Sequence, residues 1–498
     1  MADSVVALLR RHAADPRRVF LVLDGGATIT YAEQLTRSRA VAAGLRHQGL
    51  RRGDRVHVAL PNCREFFDLW FATALTGAVL VPTSPQSTTA ETAHVLADAT
   101  PAASIRAAAE VDALRAVGDD NRAVGDDNRA VGDDTETLGQ PDTISTILYT
   151  SGTTSRAKGV MVTDTNYVSV GRAVAQWWSV TAADRWLVVL PLFHANAQYY
   201  CVMSALVSGA SVALAPRFSA RSWGRQARET QATLASLFAA PIRMILASAA
   251  QPDDNANQLR AVAFAQNLSH SDATTFEHRF GTRLLQLYGM TETVVPPTMN
   301  PDDDTRRWDS IGRPMPAIAL ELVDPAGTTV EGPGVGEMRI FGRRGETIAA
   351  GYWNDERATG ETFTDAGLCT GDLARRDSDG FLYFVDRTKD MIKRGGENVS
   401  SGEIERVAGG HPAIAECAAV GVPDPIRDEA ILLVATVRAD HELTSVELLD
   451  WCAERLSAFK VPSSVVFVEH LPRTSVGKIR KAELRSLHVR DAAAPPAR

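Results

Sequence analysis

The sequence has little of what marks a secreted, membrane-spanning or nucleic-acid-binding protein. Its 498 residues include five scattered cysteines and no C-x-x-C pair, which excludes a disulfide scaffold and a cysteine-based metal site. No apolar run reaches the ~18 residues of a membrane helix, and the first residues lack the basic and apolar segments of a secretory signal. A net charge of −8 offers no basic field for nucleic acid. We therefore expect a cytoplasmic protein with no membrane span and no nucleic-acid partner.

What is present is the composition of an ordinary globular chain, with 45% hydrophobic and 22% charged residues. The length favours about two to four domains. Residues 53–60 have the pattern of a turn and a strand, residues 66–76 that of a helix, and residues 77–82 that of a buried strand. A strand, a helix and a strand in this order predict a parallel, right-handed unit and hence an α/β fold.

An internal repeat of seven residues, Arg-Ala-Val-Gly-Asp-Asp-Asn, occupies residues 115–134, and its third copy breaks off at Asp134. A period of seven is that of a coiled coil, but each copy has one valine, one glycine and two aspartates, so no apolar seam forms. The sequence predicts a solvated, mobile insertion here.

The most informative stretch is residues 147–160, in which two β-prone runs flank a loop of small hydroxyl residues and glycine. Glycine lets backbone N–H groups approach an anion, the hydroxyls donate hydrogen bonds, and Lys158 adds a positive charge. It is not a Walker A loop, because Lys158 precedes Gly159 and a strand is predicted to follow. The pattern favours a polyphosphate site over an exposed turn. The candidate ligands are Thr150, Ser151, Gly152, Thr153, Thr154 and Lys158.

This stretch resembles the phosphate loop of the adenylate-forming ligases, which include acyl-CoA synthetases, aryl-CoA ligases, the adenylation domains of nonribosomal synthetases and firefly luciferase. The family pattern is Tyr-Thr-Ser-Gly-Thr-Thr-Gly-x-Pro-Lys-Gly-Val, and this chain departs from it at Ser155 and Ala157. Both changes are expected to stiffen or redirect the loop tip while leaving the hydroxyls and Lys158 in place.

A second motif, residues 287–293, reads Leu-Tyr-Gly-Met-Thr-Glu-Thr. Tyr288 can stack on adenine, and Gly289 permits close approach to the substrate carboxylate. Thr291 can reach the α-phosphate, and Glu292 can hold Mg²⁺. Alone, the motif equally suits a strand-to-helix turn capped by threonine. Beside the phosphate loop it resembles the family's adenine and Mg²⁺ segment, with Thr291 and Glu292 as catalytic residues.

The acyl pocket is expected where two segments resemble those of the family. Residues 191–194, Pro-Leu-Phe-His, resemble the family segment in which an aromatic residue or histidine gates the acyl pocket, and amino-acid-activating relatives carry an aspartate where this chain has His194. A buried ammonium needs a paired anion, so the missing carboxylate argues against an amino-acid substrate. In residues 261–268, amides replace the family's Gly-Gly-Ala, and both segments look most like carnitine/crotonobetaine-type CoA ligases. The predicted pocket residues are Phe193, His194, Asn196, Gln198, Phe238, Arg243, Gln266, Asn267 and Gly289, with His194 also a catalytic candidate.

Later motifs resemble the family's ribose site and hinge. Asp372, in Thr-Gly-Asp, would accept hydrogen bonds from both ribose hydroxyls, and Arg387 would contact the same ribose. Lys389 occupies the hinge position. The further cofactor-binding candidates are Lys393, Gly395 and Gly396, of which the two glycines would face the thioester site. Without the resemblance, this segment has the pattern of a charged hairpin.

Near the C-terminus, residues 472–481 resemble the loop that delivers the adenylation lysine, here Lys478. The resemblance spans essentially the whole chain. It implies a large N-terminal adenylation domain of parallel sheets and helices, residues 1–387, with a β-rich subdomain at about 311–387. A hinge at residues 388–390 and a small, mobile α+β C-terminal domain, residues 391–498, complete the expected organisation.

The resemblance implies an ATP-dependent acid:CoA ligase that uses ATP, Mg²⁺ and coenzyme A. Acyl-AMP and pyrophosphate would form first, and thiol attack would then give acyl-CoA and AMP. The expected substrate is a mainly apolar, non-amino-acid carboxylic acid, for which a bulky acid of specialised metabolism is one candidate. Two alternatives remain: a ligase that loads the phosphopantetheine of a carrier protein, and a non-catalytic homologue that binds nucleotide. A homodimer is left open.

Overall fold

The computed structural model describes residues 3–123, 143–150, 157–394, 397–424, 428–439, 441–473 and 479–485. The chain divides into two compact units. The described residues of the first unit fall within 3–150, 157–320 and 340–368, and those of the second fall within 321–339 and 369–485.

The helices are α1 (Val5–Ala13), α2 (Tyr31–His47), α3 (Arg64–Thr76), α4 (Thr89–Ala99), α5 (Ala108–Ala123), α6 (Asp164–Trp177), α7 (Met203–Ser208), α8 (Trp223–Glu229), α9 (Ala239–Ala247), α10 (His270–Phe280), α11 (Glu356–Thr362), α12 (Ser401–Gly409) and α13 (Ser445–Ala453). A π-helical stretch, Asn196–Val202, precedes α7, and 3₁₀ turns lie at Thr388–Asp390 and Ala458–Lys460.

The strands are β1 (Val19–Leu23), β2 (Thr28–Thr30), β3 (Arg55–Val58), β4 (Val79–Pro82), β5 (Ala103–Ile105), β6 (Ile144–Thr150), β7 (Lys158–Thr163), β8 (Arg185–Val188), β9 (Ser211–Leu214), β10 (Leu234–Phe238), β11 (Ala261–Ala265), β12 (Arg283–Tyr288), β13 (Thr298–Met299), β14 (Arg313–Pro314), β15 (Ala319–Val323), β16 (Gly334–Phe341), β17 (Gly351–Tyr352), β18 (Phe363–Thr364), β19 (Gly367–Arg376), β20 (Leu382–Arg387), β21 (Ile392–Arg394), β22 (Glu397–Val399), β23 (Ile414–Asp424), β24 (Asp428–Val437) and β25 (Ser464–Phe467).

Two sheets organise the first unit. The larger has nine strands in the order β14-β13-β12-β11-β10-β8-β9-β1-β2, parallel from β12 to β1. The smaller has the order β17-β7-β6-β4-β3-β5, with β6, β4, β3 and β5 parallel. Parallel strands are normally covered on both faces, and every residue of β4 and of β9 is buried. The predicted parallel unit of β3, α3 and β4 and the predicted α/β class are confirmed.

Helix α2 begins with a reciprocal cap. The Thr30 hydroxyl accepts from the Glu33 backbone N–H at 3.1 Å, and the Glu33 carboxylate accepts from the Thr30 N–H at 2.7 Å. This reciprocal pair satisfies two N–H groups that an uncapped helix would leave without partners. It fixes the entry into the long helix that packs on α3 and α5.

Helices α2 and α5 cross at two glycines. A Cβ on Gly44 would lie 2.1 Å from the Leu114 carbonyl oxygen, and one on Gly118 would lie 2.0 Å from the Ala40 carbonyl oxygen. Gly118 belongs to the first copy of the seven-residue repeat, so the prediction of a solvated, mobile insertion is wrong for that copy. The contact uses one glycine per helix instead of an apolar seam, and the heptad argument therefore missed it. Residues 124–142, with the other copies, lie outside the described residues.

The second unit contains the sheet β22-β21-β24-β23, with β25 paired to β24. Apolar clusters lie on it; one of them includes residues of α12 and α13. Strands β19 and β20 pair antiparallel, and Asp372 stands opposite Arg387. In the further sheet of the chain the order is β15-β16-β19-β18. The predicted hinge residues form the 3₁₀ turn Thr388–Asp390, and the domain boundary there stays a prediction.

Among the helices that the structure describes, none combines the length and the hydropathy required to span a bilayer.

Candidate active site

The predicted phosphate loop connects two antiparallel strands. Thr150 at the end of β6 stands opposite Lys158 at the start of β7, and the Thr150 hydroxyl donates to the Lys158 carbonyl oxygen at 3.4 Å. The two predicted strands that flank the loop are therefore confirmed. Ser151, Gly152, Thr153 and Thr154 lie outside the described residues.

Helix α4 holds both flanks of this loop. The Tyr149 hydroxyl donates to the Asp98 carboxylate, and burial together with that carboxylate raises the pKa of Tyr149, so it remains a donor. The His94 Nε2 lies 2.8 Å from the Ala157 carbonyl oxygen. The two ends of the loop are thus fixed by residues four positions apart on one helix, which lie on the same helical face.

Gly159, directly after Lys158, lies in a crowded position. A Cβ there would come within 2.6 Å of the Ile147 side chain and 3.3 Å of the Trp353 side chain. The Trp353 N–H donates to the Gly159 carbonyl oxygen at 2.7 Å. Glycine is required here because a side chain of β6 and the side chain that follows β17 both lie against this position of β7.

Glu292 lies beside the phosphate-loop strand in the first unit. Its Oε1 accepts a hydrogen bond of 2.8 Å from the Tyr352 hydroxyl, and the Lys158 Nζ lies 4.9 Å from the centroid of the Tyr352 ring. The carbonyl oxygen of Thr291 accepts from the Tyr199 hydroxyl at 3.2 Å. Lys158 and Glu292, which were predicted from separate motifs, therefore both contact Tyr352.

Tyr352 was missed as a site residue by the sequence reasoning. The only signal for it was the Gly-Tyr-Trp-Asn run at residues 351–354, to which no role was assigned. Nothing in the local pattern indicates that this tyrosine reaches Glu292, because the contact depends on the pairing of β17 with β7.

Tyr288 is the last residue of a buried strand, and Gly289 follows it directly. Tyr288 closes β12 opposite Thr298 of β13 and is largely buried. A Cβ on Gly289 would lie 2.6 Å from the Tyr200 hydroxyl, so any larger residue would displace that ring. The predicted approach of Gly289 to the substrate carboxylate stays a prediction.

The segment after β8 supplies four predicted pocket residues. Phe193 and His194 are half-buried, and their rings lie 4.5 Å apart. Asn196 accepts a hydrogen bond of 2.7 Å from the Ser236 hydroxyl. Gln198 is fully buried; its Oε1 accepts from the Tyr167 hydroxyl and its Nε2 donates to the Leu192 carbonyl oxygen at 2.6 Å. Protein groups occupy both ends of this amide, so it supports the segment's shape.

The helical segment that carries Asn196 and Gln198 begins with an unusual turn. The structure has the π-helical stretch Asn196–Val202 before α7. A π-helical turn adds a residue to the helical repeat and is frequent at functional sites. Two predicted pocket residues, Asn196 and Gln198, lie in this stretch.

The remaining predicted pocket residues lie at or after the carboxyl ends of parallel strands. Phe238 ends β10 opposite Ala265, which ends β11, and Gln266 follows directly. The Arg243 guanidinium donates to the Asn267 carbonyl oxygen at 2.9 Å and lies 3.6 Å from the Asp272 carboxylate. Arg243 therefore ties α9 to the segment that carries Asn267.

Gln266 has a backbone conformation that side chains rarely adopt. Its φ is +76°, and its carbonyl oxygen accepts from the Gln286 amide at 3.0 Å. A non-glycine residue in this region costs of order 1 kcal/mol, and such residues concentrate at functional sites. The family's glycine at this segment would avoid the strain that this chain retains.

In the second unit, the predicted ribose residues form a pair. The Arg387 Nε lies 3.2 Å from the Asp372 carboxylate across β19 and β20. Lys393 lies in β21, and its N–H donates to the Glu429 carboxylate at 2.7 Å. The backbone of Lys389 belongs to a 3₁₀ turn. Gly395, Gly396 and Lys478 lie outside the described residues.

The comparisons with known proteins agree with these motifs. Residues 8–353 match the model of the AMP-binding enzyme family, and residues 403–478 match the model of the AMP-binding enzyme C-terminal domain. Crotonobetaine/carnitine–CoA ligase from Salmonella typhimurium (strain LT2) is 35% identical over 461 residues, which cover 88% of this chain and 89% of that protein. The ligase of the same name from Escherichia coli O157:H7 is 35% identical over 460 residues, with the same coverage.

Solved structures show the same relationship. ATP-bound MatB from Rhodopseudomonas palustris has a TM-score of 0.88 at 26% identity and covers 98% of this chain and 99% of its own. The o-succinylbenzoate CoA synthetase MenE from Bacillus subtilis, with its acyl-adenylate intermediate, has a TM-score of 0.83 at 26% identity and covers 97% of this chain and 98% of its own. The chain therefore belongs to the AMP-binding enzyme family and, within it, to the acyl-CoA ligases.

Proposed function

We propose that the protein is an ATP-dependent acid:CoA ligase acting in two steps on a mainly apolar, non-amino-acid carboxylic acid. The observation that carries the proposal is the convergence of Lys158 and Glu292 on Tyr352 beside the ends of the phosphate loop. A cation and a carboxylate placed there suit a nucleotide polyphosphate and the metal ion that accompanies it. The membership in the acyl-CoA ligases supports the same reaction.

In the first step, a carboxylate oxygen attacks the α-phosphorus of ATP, the bond to the bridging oxygen breaks, and pyrophosphate leaves. An anion approaches a polyanion in this step, so neutralisation of charge and positioning supply most of the catalysis. Lys158, Lys478 and the donors of residues 150–154 fill these roles. No general base is needed, because the attacking carboxylate is already ionised at neutral pH.

The residues present fit a magnesium ion that arrives with the nucleotide. In the part of the chain that the structure describes, no three His, Cys, Asp or Glu side chains are grouped to hold a metal. Glu292 offers a single carboxylate, and Mg²⁺ is commonly held by one or two carboxylates together with substrate phosphates. When bound, the ion would neutralise phosphate charge as a Lewis acid.

In the second step, the thiol of coenzyme A attacks the acyl-AMP carbonyl, the thioester bond forms, and AMP leaves. We infer a rotation about residues 388–390 between the steps, which removes Lys478 and presents Gly395 and Gly396 to the thiol. Lys389→Pro would restrict this hinge. We expect it to leave acyl-AMP formation largely intact and to slow thioester formation.

The acid is inferred from the groups that surround its predicted pocket. His194 stands where amino-acid-activating relatives carry an aspartate, so no carboxylate is supplied there for an ammonium. The amide of Gln198 is already bonded to Tyr167 and Leu192. These features favour a mainly apolar acid; crotonobetaine or carnitine, named for the relatives, would require a site for a quaternary ammonium.

Pyrophosphate release on mixing ATP with a panel of fatty, aryl and polycyclic acids tests the proposal. Release with at least one acid, followed by AMP release that requires coenzyme A, supports it. AMP release that requires a phosphopantetheinyl carrier protein would favour the carrier-loading alternative. Nucleotide binding without pyrophosphate release from any acid would reject catalysis.

Lys478→Ala tests the assignment of the adenylation lysine. We expect a loss of about 10²–10³-fold or more in acyl-AMP formation, with thioester formation from supplied acyl-AMP retained. Equal loss in both half-reactions would reject the assignment.

A further inference from the structure

Tyr352 connects the two charged side chains on which the proposed adenylation depends. Its hydroxyl donates a hydrogen bond of 2.8 Å to Oε1 of Glu292, and its ring lies 4.9 Å from Nζ of Lys158. Tyr352 and Glu292 are each 7% exposed, so water competes little for this hydrogen bond. One side chain therefore contacts an anion through its hydroxyl and a cation through its ring face.

The backbone around Tyr352 fixes this arrangement from both sides. Tyr352 stands opposite Val160 in the pairing of β17 with β7, two residues after Lys158. The Ala349 N–H donates to the Glu292 carbonyl oxygen at 2.9 Å. The Tyr352 N–H donates to the Thr359 hydroxyl at 2.9 Å. The segment 349–352 thus joins the strand that leaves the phosphate loop to the segment that carries Glu292.

The hydroxyl can act only as a donor toward the carboxylate. A tyrosine hydroxyl ordinarily keeps its proton at neutral pH, and the Glu292 oxygen that it contacts can accept that hydrogen bond. A hydrogen bond to an ionised carboxylate is stronger than one between neutral groups. It restricts the rotation of Glu292 and engages one oxygen, which leaves the second oxygen for another ligand.

The ring acts on Lys158 in a different way. An ammonium group over an aromatic face is attracted by the ring quadrupole and loses some of its rotational freedom. Lys158 has a flexible side chain and would otherwise sample many rotamers. Contact with the ring restricts this sampling.

We propose that Tyr352 is a positioning residue for magnesium-bound ATP: its hydroxyl orients Glu292 toward the metal ion, and its ring holds Lys158 toward the phosphates. The proposal rests on the proposed function, because it takes Glu292 and Lys158 as the groups that meet the nucleotide. A purely structural tyrosine that only joins β17 to the Glu292 segment is the competing explanation. The two differ in whether the effect of the hydroxyl depends on magnesium.

Tyr352→Phe removes the hydroxyl and keeps the ring. Calorimetric titration with ATP, without acid, measures nucleotide binding in saturating Mg²⁺ and again in EDTA. We expect Tyr352→Phe to weaken binding roughly 10-fold in Mg²⁺ and less than about twofold in EDTA, since one hydrogen bond to a charged group is lost. Equal weakening in both conditions, or none in Mg²⁺, would overturn the positioning role.

Tyr352→Leu removes the ring as well. Because Lys158 then loses its aromatic contact, we expect binding in EDTA to weaken roughly threefold beyond the Phe variant. Binding in EDTA equal to that of Tyr352→Phe would overturn the part of the proposal that concerns Lys158. If Tyr352→Leu does not fold, the Mg²⁺ comparison with Tyr352→Phe still decides the role of the hydroxyl.

Tyr31→Phe is the matched control. The Tyr31 hydroxyl is also buried and donates a hydrogen bond of 2.7 Å, but to the Ala210 carbonyl oxygen. We expect this variant to bind ATP like the wild type in both conditions; a magnesium-dependent loss in it would overturn the interpretation. The wild-type protein tests the proposed function separately. Binding of magnesium-bound ATP without pyrophosphate release from any acid would reject the ligase, whereas the comparison of Tyr352 variants would stand.

Discussion

Asp372 and Arg387 form an ion pair of 3.2 Å across two neighbouring strands, β19 and β20. The carboxylate side chain is 3% exposed, whereas the guanidinium side chain is 34% exposed. The buried partner is therefore held in place while the cation reaches solvent. Two residues that the resemblance assigned separately to the ribose prove to be direct neighbours.

Asp372→Asn is expected to weaken ATP and AMP binding alike, by roughly 10-fold, because a charged acceptor is replaced by a neutral amide. Calorimetric titration with each nucleotide measures the change. Asp324→Asn is the control, since Asp324 accepts backbone hydrogen bonds in a turn of the same unit. Wild-type affinity for AMP in Asp372→Asn would exclude Asp372 from the ribose site.

Gln266→Gly is expected to relieve the strain of a φ of +76° and to raise stability by about 1 kcal/mol. Because the side chain would also leave the predicted acyl pocket, the preference among acids should shift toward bulkier ones. Relative kcat/KM values across an acid panel and a thermal melt measure the two effects.

Gln231→Gly separates strain from specificity. Gln231 has a φ of +53° and lies exposed between α8 and β10. We expect the same direction of stability change with no change in acid preference. If Gln266→Gly kept the wild-type preference among acids, Gln266 would not line the acyl pocket.

Gly44→Ala and Gly118→Ala are expected to destabilise the first unit by about 1–3 kcal/mol each, because the added Cβ would overlap a backbone carbonyl in the partner helix. Gly360→Ala in α11 is the control, since nothing lies within 4 Å of its Cβ position. It should stabilise by about 0.5–1 kcal/mol, as alanine generally does in place of a helical glycine. Chemical denaturation ranks the three variants, and an unaffected Gly118→Ala would contradict the close crossing of α2 and α5.

We expect the protein to lose stability in acid because of the buried side chain of His57. Its two ring nitrogens lie 2.8 Å from the Ser104 hydroxyl and 2.9 Å from the Thr83 hydroxyl. Burial, and then the charge of Arg106, lower the pKa of His57 from 6.5 to about 4. A lowered folded-state pKa means that the stabilisation is present above pH 6.5 and is lost as the pH falls toward 4.

His57→Gln should lack this pH dependence. We expect the free energy of unfolding of the wild type, relative to the variant, to fall by roughly 1–3 kcal/mol between pH 7 and pH 4. The exposed His47 provides the control: His47→Gln should keep the wild-type profile. Parallel profiles for wild type and His57→Gln would show that His57 is not responsible.

Local signals predicted most elements and failed where the structure uses unusual ones. Helix α6, which begins at Asp164, is one example. Its cap is a reciprocal pair of Thr163 with Asn166, whereas the usual sequence signal of such a cap is a glutamate or glutamine at the second position. The start of the π-helical stretch at Asn196 was missed for a similar reason, since no apolar periodicity marks it.

For the candidate site, the sequence predicted the individual motifs but not their partners. Lys158 and Glu292 were recognisable because each lies in a motif whose neighbouring residues also suit nucleotide binding. Asn62 had no such signal. Its amide donates to the Leu190 and Ala215 carbonyl oxygens and accepts from the Leu192 N–H, and it thereby supports the segment that leads to Phe193 and His194. A lone asparagine far along the chain from its partners carries no local pattern.

The sequence by itself determined the α/β class, the order of the motifs and the family, because hydrophobic periodicity, small-residue loops and charged residues act over short stretches of chain. Only the tertiary structure decided that Tyr352 bonds to Glu292, 60 positions away, and that Gly118 packs on Ala40. Such contacts depend on strand pairing and helix crossing. Strand pairing and helix crossing are set by the burial of the whole core. The local sequence around each contacting residue therefore does not indicate its partner.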